Sequence, residues 1–358
     1  MTSRLGPLAL GVLLGCGGET QPPPLGVQGG DAALGDSQSE GSTPVTPIPP
    51  RRGPSCAASS PGASSDCGAS GGDSCCAVDL IPGGSFFRLD DRGAGSRASF
   101  GTEYPATVSA FWLDRYEITV GRFRQFLGAY ATWRPKPGDG ANPHVPGSGW
   151  QATWTLPATV GDLSQSLAGL ACDSGWAPTN VYWWTAAPGP SEHKPIACAT
   201  WYELFAFCAW DGGRLPTLAE WEFAASGGPE QRVFPWSSPP ESTVVDETYA
   251  VYSPSSNTPR PGAEDVGTHP RGAARWGTMD LGGNVFEAFL DSTTPPDPSA
   301  SGACRDCALY GPGSTYFAFQ GGAWPGDPTW MDNVAVDISA PARTSRVPSI
   351  GARCVHDP

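Results

Sequence analysis

WYELFAFCAWDGGRLPTLAEWEFAASGG, residues 201–228, decides how the rest of the protein is read. Trp201, Leu204, Phe205 and Cys208 fall at i, i+3, i+4 and i+7, which is one face of a helix. Asp211-Gly212-Gly213 stops that helix, because glycine tolerates the left-handed backbone that a helix C-terminus needs. Thr217 and Glu220 then form a T-x-x-E capping box that opens a second helix. Trp221, Phe223, Ala224 and Ala225 give this helix its apolar side, and Gly227-Gly228 ends it. On its own the stretch is a helix pair suited to a buried core.

Its wording is more specific than its periodicity. GRLPTLAEWEFAASGG (213–228) is followed by FPWSS (234–238), MDLGGNVFE (279–287), Gly321-Gly322-Ala323-Trp324, Arg343-x-x-Arg346 and Gly351-Ala352-Arg353-Cys354. These blocks, in this order across roughly Val78 to Val355, resemble the formylglycine-generating enzyme family, also called the sulfatase-modifying-factor domain. The resemblance implies an α+β, loop-rich single domain, the formylglycine-generating-enzyme variant of the C-type lectin fold. Composition agrees: 47 Gly and 39 Pro require long irregular loops, while 14 Trp and 14 Phe supply a core beneath them.

We divide the protein at residues 1–16, 17–76 and 77–358. The first part reads as a lipoprotein signal. Arg4 precedes a short apolar run, Leu5 to Gly15, and Leu13-Leu14-Gly15-Cys16 resembles a lipobox whose Cys16 is acylated. An ordinary cleaved signal is the alternative. The lipobox implies a bacterial protein, exported and lipid-anchored to the cell envelope. Residues 17–76 are rich in Pro, Gly, Ser, Ala and Asp and read as a disordered tether with cysteines. About 60 such residues would hold the domain about 40–45 Å from the membrane. Net charge −14 and a pI near 4.6 speak against a nucleic-acid surface, which needs clustered Lys and Arg.

Of 11 cysteines, removing Cys16 leaves 10, an even number suited to disulfides. The resemblance implies a Cys208–Cys354 bond, for which loop closure gives about 5 kcal/mol. We expect Cys172–Cys198 as a second pair. Cys304-x-x-Cys307 reads first as a plain disulfide, with a redox pair or half a zinc site as alternatives.

Active members of the family use copper(I) and two cysteines to convert a sulfatase cysteine to formylglycine. Counted from Trp324, those cysteine positions are Gly326 and Met331 here, and no Cys occurs between Cys307 and Cys354. Soft thiolates are what copper(I) selects, so the resemblance does not carry copper over. His144, His193, His269 and His356 form no metal-binding spacing, and the one G-x-S-x-G, residues 68–72, lies in the tether. What the resemblance does carry over is calcium, with Asp280 and Glu287 carboxylates and Gly283 and Val285 carbonyls as ligands. Mixed carboxylate and carbonyl oxygen suits that ion. The alternative is a plain turn in which Asn284 and Glu287 bond the backbone. Arg214, Arg343, Arg346 and Arg353 lie in the matching blocks and are expected to pin loops through carboxylates such as Glu220 and Glu222. Trp150, Trp154, Trp176, Trp183 and Trp184 cluster in a long insertion, either as core or as a recognition surface.

Two function classes remain. One is a membrane-anchored, non-catalytic module that binds a protein or glycan. The other is a formylglycine-generating oxidase, or another oxidoreductase, with a rearranged active site.

Overall fold

Four threonines start the four α-helices of the described residues. Thr119 precedes α1 (Val120–Ala129), Thr159 α2 (Val160–Gln165), Thr200 α3 (Trp201–Trp210) and Thr217 α4 (Leu218–Ala225). Each hydroxyl accepts from the backbone N–H three residues on, satisfying a donor that has no intrahelical partner. At α2, α3 and α4 a carboxylate reaches back to complete the box. The box at Thr200–Glu203 obeys the same T-x-x-E rule as Thr217–Glu220 but is absent from the sequence reading. Gly212, at φ 87°, turns the backbone out of α3, and Gly227, at φ 69°, out of α4.

The structure, a computed structural model, describes residues 49–50, 53–57, 59–88, 104–170, 172, 183–255, 260–292, 304–333 and 341–358. They belong to one unit that starts at Pro47. The signal with Cys16, most of the tether, and Trp176 lie outside them.

Among the described residues nine short strands make three three-stranded sheets. β1 (Val78–Ile81), β4 (Phe111–Asp114) and β9 (Val355–His356) form the first, in the order β1-β4-β9. β2 (Gly84–Arg88), β3 (Tyr104–Val108) and β6 (Cys304–Arg305) form the second, in the order β2-β3-β6. β5 (Phe286–Ala288), β7 (Phe319–Gln320) and β8 (Ile350–Gly351) form the third, in the order β7-β5-β8. The β3–β6 and β5–β8 pairings are parallel and the rest antiparallel. ATVSAFWLDRYE (106–117) alternates like one strand, but its two extended stretches, in β3 and β4, belong to two sheets. The backbone changes sheet at Ser109, whose N–H and hydroxyl are both held by the Asp306 carboxylate.

α3 is buried nearly all round. Trp201, Leu204, Phe205 and Cys208 face inward as expected, but Ala206, Phe207 and even Glu203 are buried too. Trp150 and Trp154 of the insertion pack on Tyr202 and Phe205 of α3, so these indoles fill the core. The same holds for Trp184, which is also buried. α4 packs with Ile81, Phe86, Val108 and Phe111 from the first two sheets.

The folded unit reaches upstream of Ala77, which corrects the boundary drawn for the tether. Cys56–Cys76 and Cys67–Cys75 are disulfides, and Ser55, Ala63, Cys67 and Cys75 are buried. Ser55 donates its N–H and hydroxyl to Asp211 at the end of α3, each at 2.8 Å. Low complexity misled the reading here, because cross-links and a buried carboxylate supply the order that composition lacks. Cys172–Cys198, Cys208–Cys354 and Cys304–Cys307 complete five disulfides.

Asp211 also meets Arg122 of α1. This guanidinium, 1% exposed, bridges Asp114 of β4 at 2.8 Å and Asp211 at 2.7 Å, and its Nε donates to Ser55 Oγ at 3.0 Å. Removing one member of a buried ionic set leaves the others uncompensated. Arg122→Met is therefore expected to cost about 3–5 kcal/mol in urea unfolding, far more than the same change at exposed Arg134.

Candidate functional site

The block 279–287 meets the 321–324 turn by main-chain bonds. Gly283 N–H donates to Gly321 O at 2.7 Å, and Trp324 N–H to Asn284 O at 2.9 Å. Asn284 N–H reaches Val251 O at 2.8 Å. The block curls because Asp280, Gly283 and Asn284 have φ of 58°, 90° and 61°. Glycine is required at 283: a Cβ there would stand 2.7 Å from Val251 O and 3.2 Å from Met331 Sδ.

Inside the curl is a buried acidic cluster. Glu287 receives Arg353 Nε at 2.7 Å, Arg353 Nη2 at 2.6 Å and Trp221 Nε1 at 3.0 Å. Arg353 also donates to the carbonyls of Asp114, Arg115 and Met279, so it ties β5 to two further backbone segments. Glu117, which the sequence reading did not single out, receives Asn284 Nδ2 at 2.6 Å and Val285 N–H at 3.1 Å. Asp280 accepts from Gly267 N–H at 2.6 Å. Burial, then the charges of Asp280 and Glu287, hold the Glu117 carboxyl well above its usual range. Burial likewise pushes Asp280 up to about 6 against the pull of Gly267 N–H and Arg353. Three carboxylates thus face one guanidinium.

This arrangement fits the expected calcium set in part. The acidic excess suits a cation. Glu287, however, spends three of its four or so acceptor positions on Arg353 and Trp221, leaving one on Oε1. Asn284 is bonded as the plain-turn alternative expected, with Oδ1 accepting from Glu264 N–H at 3.0 Å.

The two family cysteine positions lie beside this block. The Gly326 carbonyl receives Ser253 N–H at 2.8 Å. Met331 is buried with Val233, Phe234, Trp236, Ala250 and Tyr252. Against that cluster opens a pocket of about 180 Å³, lined by Val233, Phe234, Val245, Pro328 and Asp332 among others. The ten described cysteines are all in disulfides.

The motif arginines divide. Arg214 pairs with Glu220 and Asp357, Arg346 with Glu203, and Arg353 with Glu287. Arg343 has no carboxylate among the described residues. Glu222, expected as an arginine partner, makes no hydrogen bond through either oxygen. His193, His269 and His356 each meet a different carboxylate, on Asp66, Glu264 and Asp114.

Residues 68–358 match the family described as the sulfatase-modifying factor enzyme 1-like domain. The chain belongs to this family. The mouse formylglycine-generating enzyme is 29% identical over 203 residues, 52% of this chain and 50% of that protein. The chain thus spans about half the length of that relative. The mouse inactive C-alpha-formylglycine-generating enzyme 2 is 28% identical over 226 residues, 60% of this chain and 68% of that protein. Among solved structures, PvdO from Pseudomonas aeruginosa superposes with a TM-score of 0.54 at 19% identity, over 78% of this chain and 94% of that one. The likeness is one of fold, and the fold is the loop-rich α+β variant that the motif blocks implied.

In this sulfatase-modifying factor domain Glu222 offers a pH test away from the acidic cluster. Burial pushes its carboxyl up to about 8, eased by Arg88 and worsened by Asp291. A carboxyl whose pKa is raised by folding stabilises when protonated. That contribution is present below about pH 4 and lost as pH rises through about 8. Glu222→Gln is expected to unfold like wild type at pH 5 and to be more stable at pH 9, by on the order of a few kcal/mol. Urea unfolding at the two pH values checks this.

Proposed function

We propose that this is a membrane-anchored lipoprotein whose sulfatase-modifying factor domain is a non-catalytic binding module. The observation that carries this reading is Met331. A thioether packed among Val233, Phe234 and Trp236 stands where active members have their second cysteine, and Gly326 stands where they have the first. A thioether cannot supply a thiolate, and the described thiols are all committed to disulfides. Similarity to a relative named as inactive supports the same reading. Val233 and Phe234, which pack with Met331, line a mostly apolar pocket that is suited to holding a side chain or an acyl or sugar face of an envelope protein or glycan. The lipobox at Cys16 supports anchoring and export.

Copper has no part in this reading, whereas calcium does. It would sit at Asp280, with the Gly283 and Val285 carbonyls and the remaining acceptor of Glu287, and would offset the buried negative charge. Its role there is to hold the curl of the block, not to react.

Anaerobic copper(I) titration of the purified protein, followed by oxygen and a sulfatase-motif peptide, tests the central claim. No stoichiometric copper and no formylglycine are expected; tight copper with peptide oxidation would establish the oxidase reading instead. Calcium is expected to raise the melting temperature of wild type and to have no effect on Asp280→Asn. Cys16→Ala is expected to abolish fatty-acid labelling in a bacterial host.

A further inference from the structure

The buried arginines Arg122, Arg214 and Arg353 are built in with carboxylate partners, whereas Arg343 has none among the described residues. Arg343 is 1% exposed, like Arg122 and Arg353. Its backbone is pinned under the start of α3, with Arg343 N–H on Thr315 O and Trp201 N–H on Arg343 O, at 2.7 and 3.1 Å. The guanidinium lies over the Trp201 ring at 4.1 Å, with Trp154 at 5.6 Å and Tyr310 at 5.9 Å. Nη2 reaches Ser292 Oγ at 3.2 Å and Gly311 O at 3.5 Å, and the Tyr202 phenol is a further hydrogen-bond partner of the guanidinium. None of the three is a carboxylate. Among the described residues Nε and Nη1 have no hydrogen-bond partner. The one acid of α3, Glu203, is already held by Arg346.

A guanidinium does not shed its proton at neutral pH, so burial cannot be relieved by neutralisation. Aromatic faces return only part of the desolvation penalty of a buried ion. A neutral hydroxyl or carbonyl satisfies an N–H but not the charge. We propose that Arg343 anchors a binding site for a carboxylate-bearing ligand. One net positive charge calls for a monoanion; a dianion would leave a buried negative charge in its turn. A planar, delocalised carboxylate matches the donor geometry of guanidinium. The way in is marked by Trp154, which belongs both to the aromatic cage and to the wall of a pocket of about 390 Å³. That pocket is also lined by Trp150, Leu156, Pro137 and Arg134, an apolar bed with a second cation at its edge. The ligand's body would lie there while its carboxylate passes Trp154 to Arg343. This site stands apart from the pocket lined by Val233 and Phe234 and does not depend on whether the domain is catalytic.

The test follows melting temperature and tryptophan fluorescence of the full-length protein at pH 7, at constant ionic strength, as chloride is replaced by acetate. Wild type is expected to gain melting temperature with acetate and to show a saturable fluorescence change, since Trp154 and Trp201 face the site. Two further probes, each compared with its methyl ester, identify the source of the carboxylate. These are glucuronate for an acidic sugar and an acetylated hydrophobic dipeptide for the C-terminus of a polypeptide. The free acid of the right class is expected to bind at least tenfold more tightly than its ester. Arg343→Met is expected to melt at or above wild type without carboxylate and to lose the carboxylate response. Absence of any carboxylate dependence in wild type overturns the proposal whatever the variant does. A variant that melts lower while keeping the wild-type response also overturns it, because the site would then lie elsewhere.

Discussion

One guanidinium between two buried carboxylates holds the centre of the molecule. Arg122 joins Asp114 on β4 to Asp211 at the end of α3, and Ser55 from the upstream segment closes the set. His356 Nε2 of β9 donates to the Asp114 carboxylate at 3.2 Å, so the last strand is attached to the same point. Burial would raise the Asp114 carboxyl, yet Arg122 and His356 bring it down to about 2. This acid therefore stays charged across the physiological range. A loop-rich protein with sheets of two to five residues per strand lacks long ladders to define it, and ionic junctions take over that role. Such a set is demanding, because each member is costly once its partner is gone.

The same device recurs with different sums. Arg214 and Arg346 balance the glutamates that also cap α4 and α3. Around Arg353 the carboxylates outnumber the guanidinium, and around Arg343 the guanidinium has no carboxylate among the described residues. Where the charges cancel, the junction is architecture. Where they do not, the imbalance marks a place that a proton, an ion or a ligand would complete.

Much of this was legible locally. The faces of α3 and α4, their glycine stops and the Thr217–Glu220 box follow from spacings of three and four residues. The blocks at 279–287 and 321–324 stand out in the sequence as separate motifs, and main-chain bonds bring them together. What escaped depends on partners distant in sequence. Glu117 is an unremarked acid at a strand end until Asn284 and Val285 fold onto it. The break between β3 and β4 is set by Asp306, nearly two hundred residues on. The segment from Gly53 to Cys76 reads as tether because its order comes from Asp211 and two cross-links. Glu222 stands in a motif and looked like an arginine partner, but its carboxyl makes no hydrogen bond and feels Arg88 through charge alone.

The pairing of β9 with β4 has a consequence for how the molecule comes into being. Trp112 and Leu113 wait for His356 and Val355, and Arg214 exchanges main-chain bonds with Val355. The first sheet and its ionic centre are thus incomplete until residues as late as His356 have left the ribosome. Contacts so far apart make assembly slow. The edge that β4 offers to β9 therefore stays open until a partner more than two hundred residues downstream arrives to close it.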